Sequence, residues 1–298
     1  MKPRTGAPNR GETGTLYVCA TPIGNLKDIT LRALEVLRSV AAVAAEDTRR
    51  TRKLLAHYGI RVPVISCHEH NWRQAIPRII ALLQEGKSVA LVSDAGMPGI
   101  SDPGADVVAA VLRNGLQVRS VPGPSSVTAA LAVSGLPASS FFFQGFLPRR
   151  RSARRARLEW LRQLGCTVVL YVSPHRFEEV MDDICRVMGE HVQAAWCREI
   201  TKMHEEILRG TVGQLRDRVR SALVRGEITL VLGAAEPKVS EEELDPLQVA
   251  VAVEQVRASG CSPTRAAKQV AERLGIPRRI AYYSWLRHVA HQSQHEEE

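Results

Sequence analysis

Five short strand-like runs between residues 15 and 122 are rich in apolar residues, the last least so: TLYVCAT, AAVAAED, PVISC, SVALVSD and QVRSVP. A strand that is apolar on both faces has to be covered on both. A parallel neighbour is reached only through a long crossover, usually a helix. The stretches between the runs, TLRALEVLRSV, TRKLLAHYG, RQAIPRIIALLQEG and GADVVAAVLRNG, carry apolar residues at helical spacing. The alternation predicts a mostly parallel sheet between two layers of helix. Gly59, Gly86 and Gly115 stand where those helices should stop. A second set follows: SSFFFQGF, a helix over 152–163, CTVVLYVS, a helix over 174–188, HVQAAWC, EEILRGTV and EITLVLGAA. The last two read as antiparallel strands around a short helix.

The fold class expected is therefore α/β, with two α/β domains at 14–123 and 124–236, joined near 123–138. A disordered leader at 1–13 precedes them and a helical extension at 245–292 follows. In the extension, Ser262 reads as an N-cap and Pro263 as the first helical position. Ala266, Val270 and Leu274 form one apolar stripe, Gly275 ends the helix and Pro277 starts the next. This is a helix-turn-helix-like pattern, and it fits a nucleic-acid role or a packing cap equally. The tail HQSQHEEE reads as frayed.

The 298 residues are 45% hydrophobic and 5% aromatic, so the core is expected to be Val, Leu, Ile and Ala. Six scattered Cys contain no C-x-x-C pair, which argues against zinc ribbons and redox motifs and for reduced thiols. No signal region and no run of about 18 apolar residues is present. The expectation is a soluble, cytoplasmic protein with no membrane partner. Forty basic against 31 acidic residues give a net charge of +9, which favours polyanions.

Chemistry concentrates where strands end. VSDAGMPGISDPG follows the fourth run, ATPIGNLKDIT the first and VPGPSSVTAA the fifth. Ligands of open α/β sheets bind beyond the carboxyl ends of the strands, and small residues there let backbone approach a ligand. None of the three loops matches G-x-G-x-x-G or the P-loop pattern. Asp94 reads as a ligand-facing carboxylate, and Asp102, before Pro103, as a helix cap. After the second run, Glu46 and Asp47 adjoin Arg49, Arg50 and Arg52. Such a pattern marks either a helix start or a base beside a phosphate anchor. His68, Glu69 and His70 lack a third spaced His or Cys, so no metal is expected.

Taken in order, ATPIGNLKDIT, AEDTRRTRKLL, CHEHN, VSDAGMPGISDPG, VPGPSSVTAAL, FLPRR and REITKMHEE resemble the bacterial ribosomal-RNA methyltransferases of the tetrapyrrole-methylase superfamily. The resemblance spans roughly residues 14–236. It implies two α/β domains of the tetrapyrrole-methylase type with a small C-terminal helical extension, S-adenosylmethionine bound between the domains, and a homodimer. The reaction implied is 2′-O-methylation of a cytidine in the decoding region of small-subunit (16S) ribosomal RNA. By the same resemblance, Pro22, Asp94, Met97, Ser125 and Ser126 lie at the cofactor, with Val172 and Ser173 contributing from the second domain. Two positions depart from the family pattern: Met97 stands where Thr is usual, and Val172–Ser173 where Glu–Ala is usual.

For methyl transfer to a ribose hydroxyl, Asp47, Glu46 and His70 are the candidate bases and Arg49 a candidate phosphate anchor. FLPRRRSARRAR adds Arg149, Arg150, Arg151, Arg154, Arg155 and Arg157 with no acid before Glu159. The run reads as a mobile, RNA-gripping arm, with the first five as RNA contacts. Two rival functions are a small-molecule, tetrapyrrole-like methyltransferase and a non-catalytic RNA-binding assembly factor. The partner expected is 16S ribosomal RNA or the small ribosomal subunit.

Overall fold

The computed structural model describes residues 13–102, 104–220, 225–235, 246–258, 260–274, 278 and 280–286. The leader up to residue 12, Pro103, Gly275, Pro277 and the C-terminal tail lie outside the described residues. The chain divides into two compact units. One comprises residues up to 159 with 166–234, the other 160–165 with residues from 235 on.

In the first unit, β1 (Thr15–Cys19), β2 (Ala42–Ala45), β3 (Val64–Ser66), β4 (Val89–Val92) and β5 (Gln117–Val121) form one parallel sheet, ordered β3-β2-β4-β1-β5. Successive residues of β4 point to opposite faces, as a pleated strand requires. Ala90 and Val92 pack with Leu34 and Leu37 of α1 (Leu31–Ser39) and Leu55 of α2 (Thr48–His57). Val89 and Leu91 pack with Ile79 and Leu83 of α3 (Trp72–Gln84) and Val107 and Val111 of α4 (Gly104–Arg113). All four residues of β2 and of β4 are buried, which is why these strands read as unbroken apolar runs. β1 and β4 are neighbours, but β1 leads to α1 on one face and β4 to α4 on the other. Their carboxyl ends therefore part at a switch point, where α/β sheets open a crevice.

The same unit continues through α5 (Ser126–Ser134), β6 (Phe141–Phe146), α6 (Arg151–Gln163, of which residues from 160 on belong to the other unit), β7 (Thr167–Val172), α7 (Phe177–Met188), β8 (Gln193–Arg198), β9 (Glu206–Thr211), α8 (Val212–Arg220) and β10 (Ile228–Leu232). The second sheet runs β6-β7-β10-β8-β9, with only β6 and β7 parallel. β9 and β10 do not pair with each other across α8, because each lies antiparallel to an opposite edge of β8. The helix expected from 174 opens as a 3-10 turn, Pro174–Arg176, before α7 begins. Val127, Ala130 and Leu131 of α5 pack on Val169, Ala195, Cys197 and Val231, so this helix covers the second sheet.

The second unit holds α9 (Pro246–Ala258), α10 (Pro263–Leu274) and helical residues 280–286. Val249, Val253, Ala266, Ala267, Val270, Ala271, Ala281 and Trp285 form its core. Ser262 receives backbone N–H bonds from Arg265 and Ala266 on its carbonyl, at the start of α10. Leu274 is exposed, so the buried stripe is Ala266–Val270 with Ala267–Ala271 and does not extend to it. Among the described residues, no helix is long and apolar enough to cross a membrane. All six cysteines are free, and burial pushes the Cys19 thiol up to about 12.

Candidate active site

Hydrogen bonds fasten the loops after β1, β2 and β4 into one rim. Thr21 and Gly96 exchange backbone bonds at 2.9 and 3.0 Å, and the Thr21 hydroxyl donates to the Ser93 carbonyl at 3.0 Å. Gly96 (φ 82°) and Gly99 (φ 89°) take backbone conformations that favour glycine. Asp94 joins this rim to β2. One carboxylate oxygen accepts from the Asp47 amide at 2.9 Å and the other pairs with Arg50 Nη1 at 3.3 Å. In return, the Asp94 amide donates to Glu46 Oε2 at 3.3 Å. The structure thus brings Glu46, Asp47 and Asp94 together, while both Asp94 oxygens already have donors within the protein.

The two neighbouring acids differ chemically. Asp47 caps α2, accepting from the Arg49 amide at 2.8 Å, and pairs with Arg49 Nη2 at 3.0 Å. These contacts, the Arg49 side-chain bond first, hold its carboxyl down at about 2. Glu46 is pushed above its ordinary range, chiefly by burial and less by the Asp94 charge. Arg49 is spent on Asp47 but leaves much of its guanidinium in solvent, its side chain being 84% exposed. His70 is exposed at the end of β3, its amide donating to His68 Nδ1 at 3.2 Å, and it is not part of the carboxylate network. Among the described residues, no group of three His, Cys, Asp or Glu side chains could hold a metal ion.

On its other side the β4 loop faces the second sheet. Asp102 accepts from the Gly99 and Gly104 amides at 2.8 and 2.7 Å, so it caps α4. A Cβ on Gly104 would sit 2.7 Å from the Gly99 nitrogen, and one on Gly145 of β6 would sit 3.0 Å from Ser101 Oγ. Met97 is half-buried in this loop and Pro22 in the β1 loop. The Ser126 and Tyr171 hydroxyls are 3.0 Å apart, joining the start of α5 to β7. Ser125 occupies the N-cap of α5 with no side-chain capping bond. Val172 is buried at the end of β7 and Ser173 follows it half-buried. The side chain of Val172 is therefore committed to packing and leaves only its backbone for a ligand.

A cavity of about 220 Å³ opens on the α2 side of Asp94. Thr21, Ser93 and Asp94 line it, with Pro22, Leu26 and Leu54 as apolar wall and Arg50 and Lys53 as its cations. Tyr58 donates to the Leu26 carbonyl and ties that wall to the end of α2. The sequence reading missed Arg50 and Lys53 as a pair. The available signal was their i, i+3 spacing, which puts them on one helical face with Leu54.

The arginine-rich run is not a mobile arm. Residues 151–163 form α6, and the side chains of Arg154 and Asp183 are each 1% exposed, paired at 2.7 Å. Arg155 and Arg151 also reach Asp183, at 2.7 and 3.5 Å. Arg154 and Arg176 donate to the Arg149 carbonyl at 3.1 and 3.2 Å, fixing the turn before α6. Burial shuts Arg154 off from RNA, contrary to expectation, and Arg155 is largely spent on Asp183. Arg149, Arg150 and Arg151 remain exposed.

A cleft at a parallel-sheet switch point, walled by small-residue loops and backed by a second mixed sheet, is an α/β methylase arrangement. Residues 15–216 match the tetrapyrrole (corrin/porphyrin) methylases, and the chain belongs to that family. Within it, the chain is similar to proteins named ribosomal RNA small subunit methyltransferase I. That of Halalkalibacterium halodurans is 43% identical, over 95% of this chain and 98% of its own. That of Thermotoga maritima is 47% identical, over 75% of this chain and the whole of its own. Among solved structures, uroporphyrin-III C-methyltransferase from Thermus thermophilus, complexed with S-adenosylhomocysteine, superposes with a TM-score of 0.54. It is 19% identical and covers 74% of this chain and 97% of its own. Diphthine synthase reaches a TM-score of 0.58 at 18% identity, covering 74% of this chain and 90% of its own. At such identities the likeness establishes the fold.

Proposed function

We propose that the protein transfers a methyl group from S-adenosylmethionine to the 2′-hydroxyl of a cytidine in small-subunit ribosomal RNA. The observation that carries this reading is the near full-length match to methyltransferases named for that RNA. The residues at the switch point suit the cofactor. The glycines of the β4 loop let a ligand approach the backbone closely, the Ser125 hydroxyl makes no capping bond and is left for a polar ligand, and Pro22, Met97, Ser126 and the backbone of Val172–Ser173 border the same space. Bound there, S-adenosylmethionine supplies an electrophilic methyl on a sulfonium.

For the hydroxyl to accept that methyl, its proton would have to pass to a residue of this chain. Alignment of the two reactants supplies much of the rate. Glu46, raised by burial, is the better base of the two acids, because Asp47 is held too acidic to keep a proton near neutral pH. Asp47 orients α2 and Arg49. Arg149, Arg150 and Arg151 hold RNA phosphate outside the cleft. The reading includes a homodimer, which sedimentation velocity tests, and a cytoplasmic setting where ribosomes are made.

Labelled methyl transfer to small subunits and to free ribosomal RNA, with mapping of the product, tests the function. One 2′-O-methylated cytidine is expected. S-adenosylmethionine binding with no transfer to either RNA would leave the small-molecule reading. RNA binding without cofactor binding would leave the assembly-factor reading.

A further inference from the structure

The cavity on the α2 side of Asp94 adjoins the surfaces that suit the cofactor and shares Pro22 with them, but opens in a different direction. Those surfaces face the second sheet, as the Ser126–Tyr171 bond and the Ser101–Gly145 approach show. The cavity faces the other way, toward α2, and its contents are different. It has two cations, an apolar wall, and the Ser93–Asp94 end of β4 as its base. Asp94 already pairs with Arg50, which holds that guanidinium over the cavity. Lys53, one turn further along α2, is exposed and forms no ion pair among the described residues. At about 220 Å³ the space is smaller than the roughly 300–1,000 Å³ of sites that enclose a whole drug-sized ligand.

We propose that this cavity is the seat of a single ribose-phosphate of the RNA substrate. Lys53 and Arg50 bind the phosphodiester, and Pro22, Leu26 and Leu54 hold the sugar face. The proposal rests on the RNA reading above and deepens it. Arg fastened to a carboxylate gives a directional fork, and Lys a free point charge, so the pair fixes both the place and the orientation of one phosphate. Glu46 does not line the cavity but lies behind the same rim, its carboxylate accepting from the Asp94 amide, so the seat places the RNA chain beside it. The nearby Arg52, exposed on α2 but not lining the cavity, is outside the seat.

The test compares Lys53→Ala, Lys53→Arg and Arg52→Ala, measuring transfer kinetics on small subunits and S-adenosylhomocysteine affinity by calorimetry. Lys53→Ala is expected to raise KM about tenfold, the loss of one charge-assisted hydrogen bond. It should leave kcat and cofactor affinity within about twofold, and take about 0.7 from the slope of log affinity against log salt. Lys53→Arg should recover most of the affinity, and Arg52→Ala should behave as the parent protein. Equal losses in Arg52→Ala and Lys53→Ala would mean diffuse attraction and overturn the seat. A fall in S-adenosylhomocysteine affinity in Lys53→Ala would assign the cations to the cofactor's carboxylate and overturn it too. If the parent protein transfers nothing to ribosomal RNA, the reading of function falls. Direct binding of a single-stranded, cytidine-containing oligoribonucleotide then judges the cavity, and equal affinity of parent and Lys53→Ala would overturn it.

Discussion

Glu46 and Asp47 are adjacent in sequence and opposite in chemistry, and the difference lies in what each carboxylate meets. Asp47 stands at the open end of a helix and meets an amide and a guanidinium. Glu46 turns back under the rim, where burial dominates. The distinction was invisible in AEDTRR, because the burial that raises Glu46 exists only once β2 and β4 lie side by side and the Asp94 rim covers it. Glu46→Gln is expected to lower the single-turnover rate by about 10²–10⁴-fold. A base acts when deprotonated. The parent rate should therefore fall as pH drops through an ionisation above the ordinary carboxylate range, and Glu46→Gln should lose that limb of the profile. Asp47→Asn should keep the limb, while lowering helix stability. A pH profile that loses the limb in Asp47→Asn would exchange the two roles.

α6 shows what a run of like charges hides. FLPRRRSARRAR contains no acid, so local pairing was excluded, yet the neutralising group is Asp183, on α7. Burial pushes the Asp183 carboxyl up, but the bonds from Arg155 and Arg154 outweigh it and hold it below its usual range. Its ionic contribution is thus complete above the unfolded value near 3.9 and is lost as pH falls through the lower folded value. Asp183→Ala leaves a guanidinium buried without its partner and should destabilise the first unit by about 3–5 kcal/mol in urea denaturation. Its acid unfolding should lose part of its steepness below about pH 4. Elements whose signals were local were legible: the parallel strands, the Asp102 cap and most helix boundaries follow from apolar runs and turn residues. Elements defined by distant partners were not, as with the position of β8 between β9 and β10. The same holds for the β6 bulge at Gln144, where the register beside β7 shifts between Phe143 and Gly145. At the start of α4, Gly104→Ala should weaken S-adenosylhomocysteine binding, because a Cβ there would press on the Gly99 nitrogen of the β4 loop. Calorimetry beside a thermal melt separates this from simple unfolding.

For the whole molecule, the net charge of +9 is not spread evenly in its effect. Arg154 and Arg155 are consumed inside the fold, whereas Arg149 and Arg150 project from a turn that buried charges hold in place. Replacing Arg149 and Arg150 with Ala should flatten the salt dependence of RNA binding by about 1.4, at about 0.7 per single-strand phosphate contact. Cofactor affinity should be unchanged, and an unaltered slope would make the turn a solvated surface. The order of the first sheet also governs how the chain comes into being. β1 is paired on both sides, Leu16 with Val89 and Thr15 with Gln117, and all of these partners are made long after it. At about 5–20 residues per second, the first strand emerges from the ribosome on the order of ten seconds before its neighbours exist. Until then both of its hydrogen-bonding edges are bare, its apolar faces are uncovered and it has no sheet to join. Synthesis that stalls before residue 89 leaves a chain with nowhere to put its first strand, and such a chain is a substrate for chaperones or for aggregation.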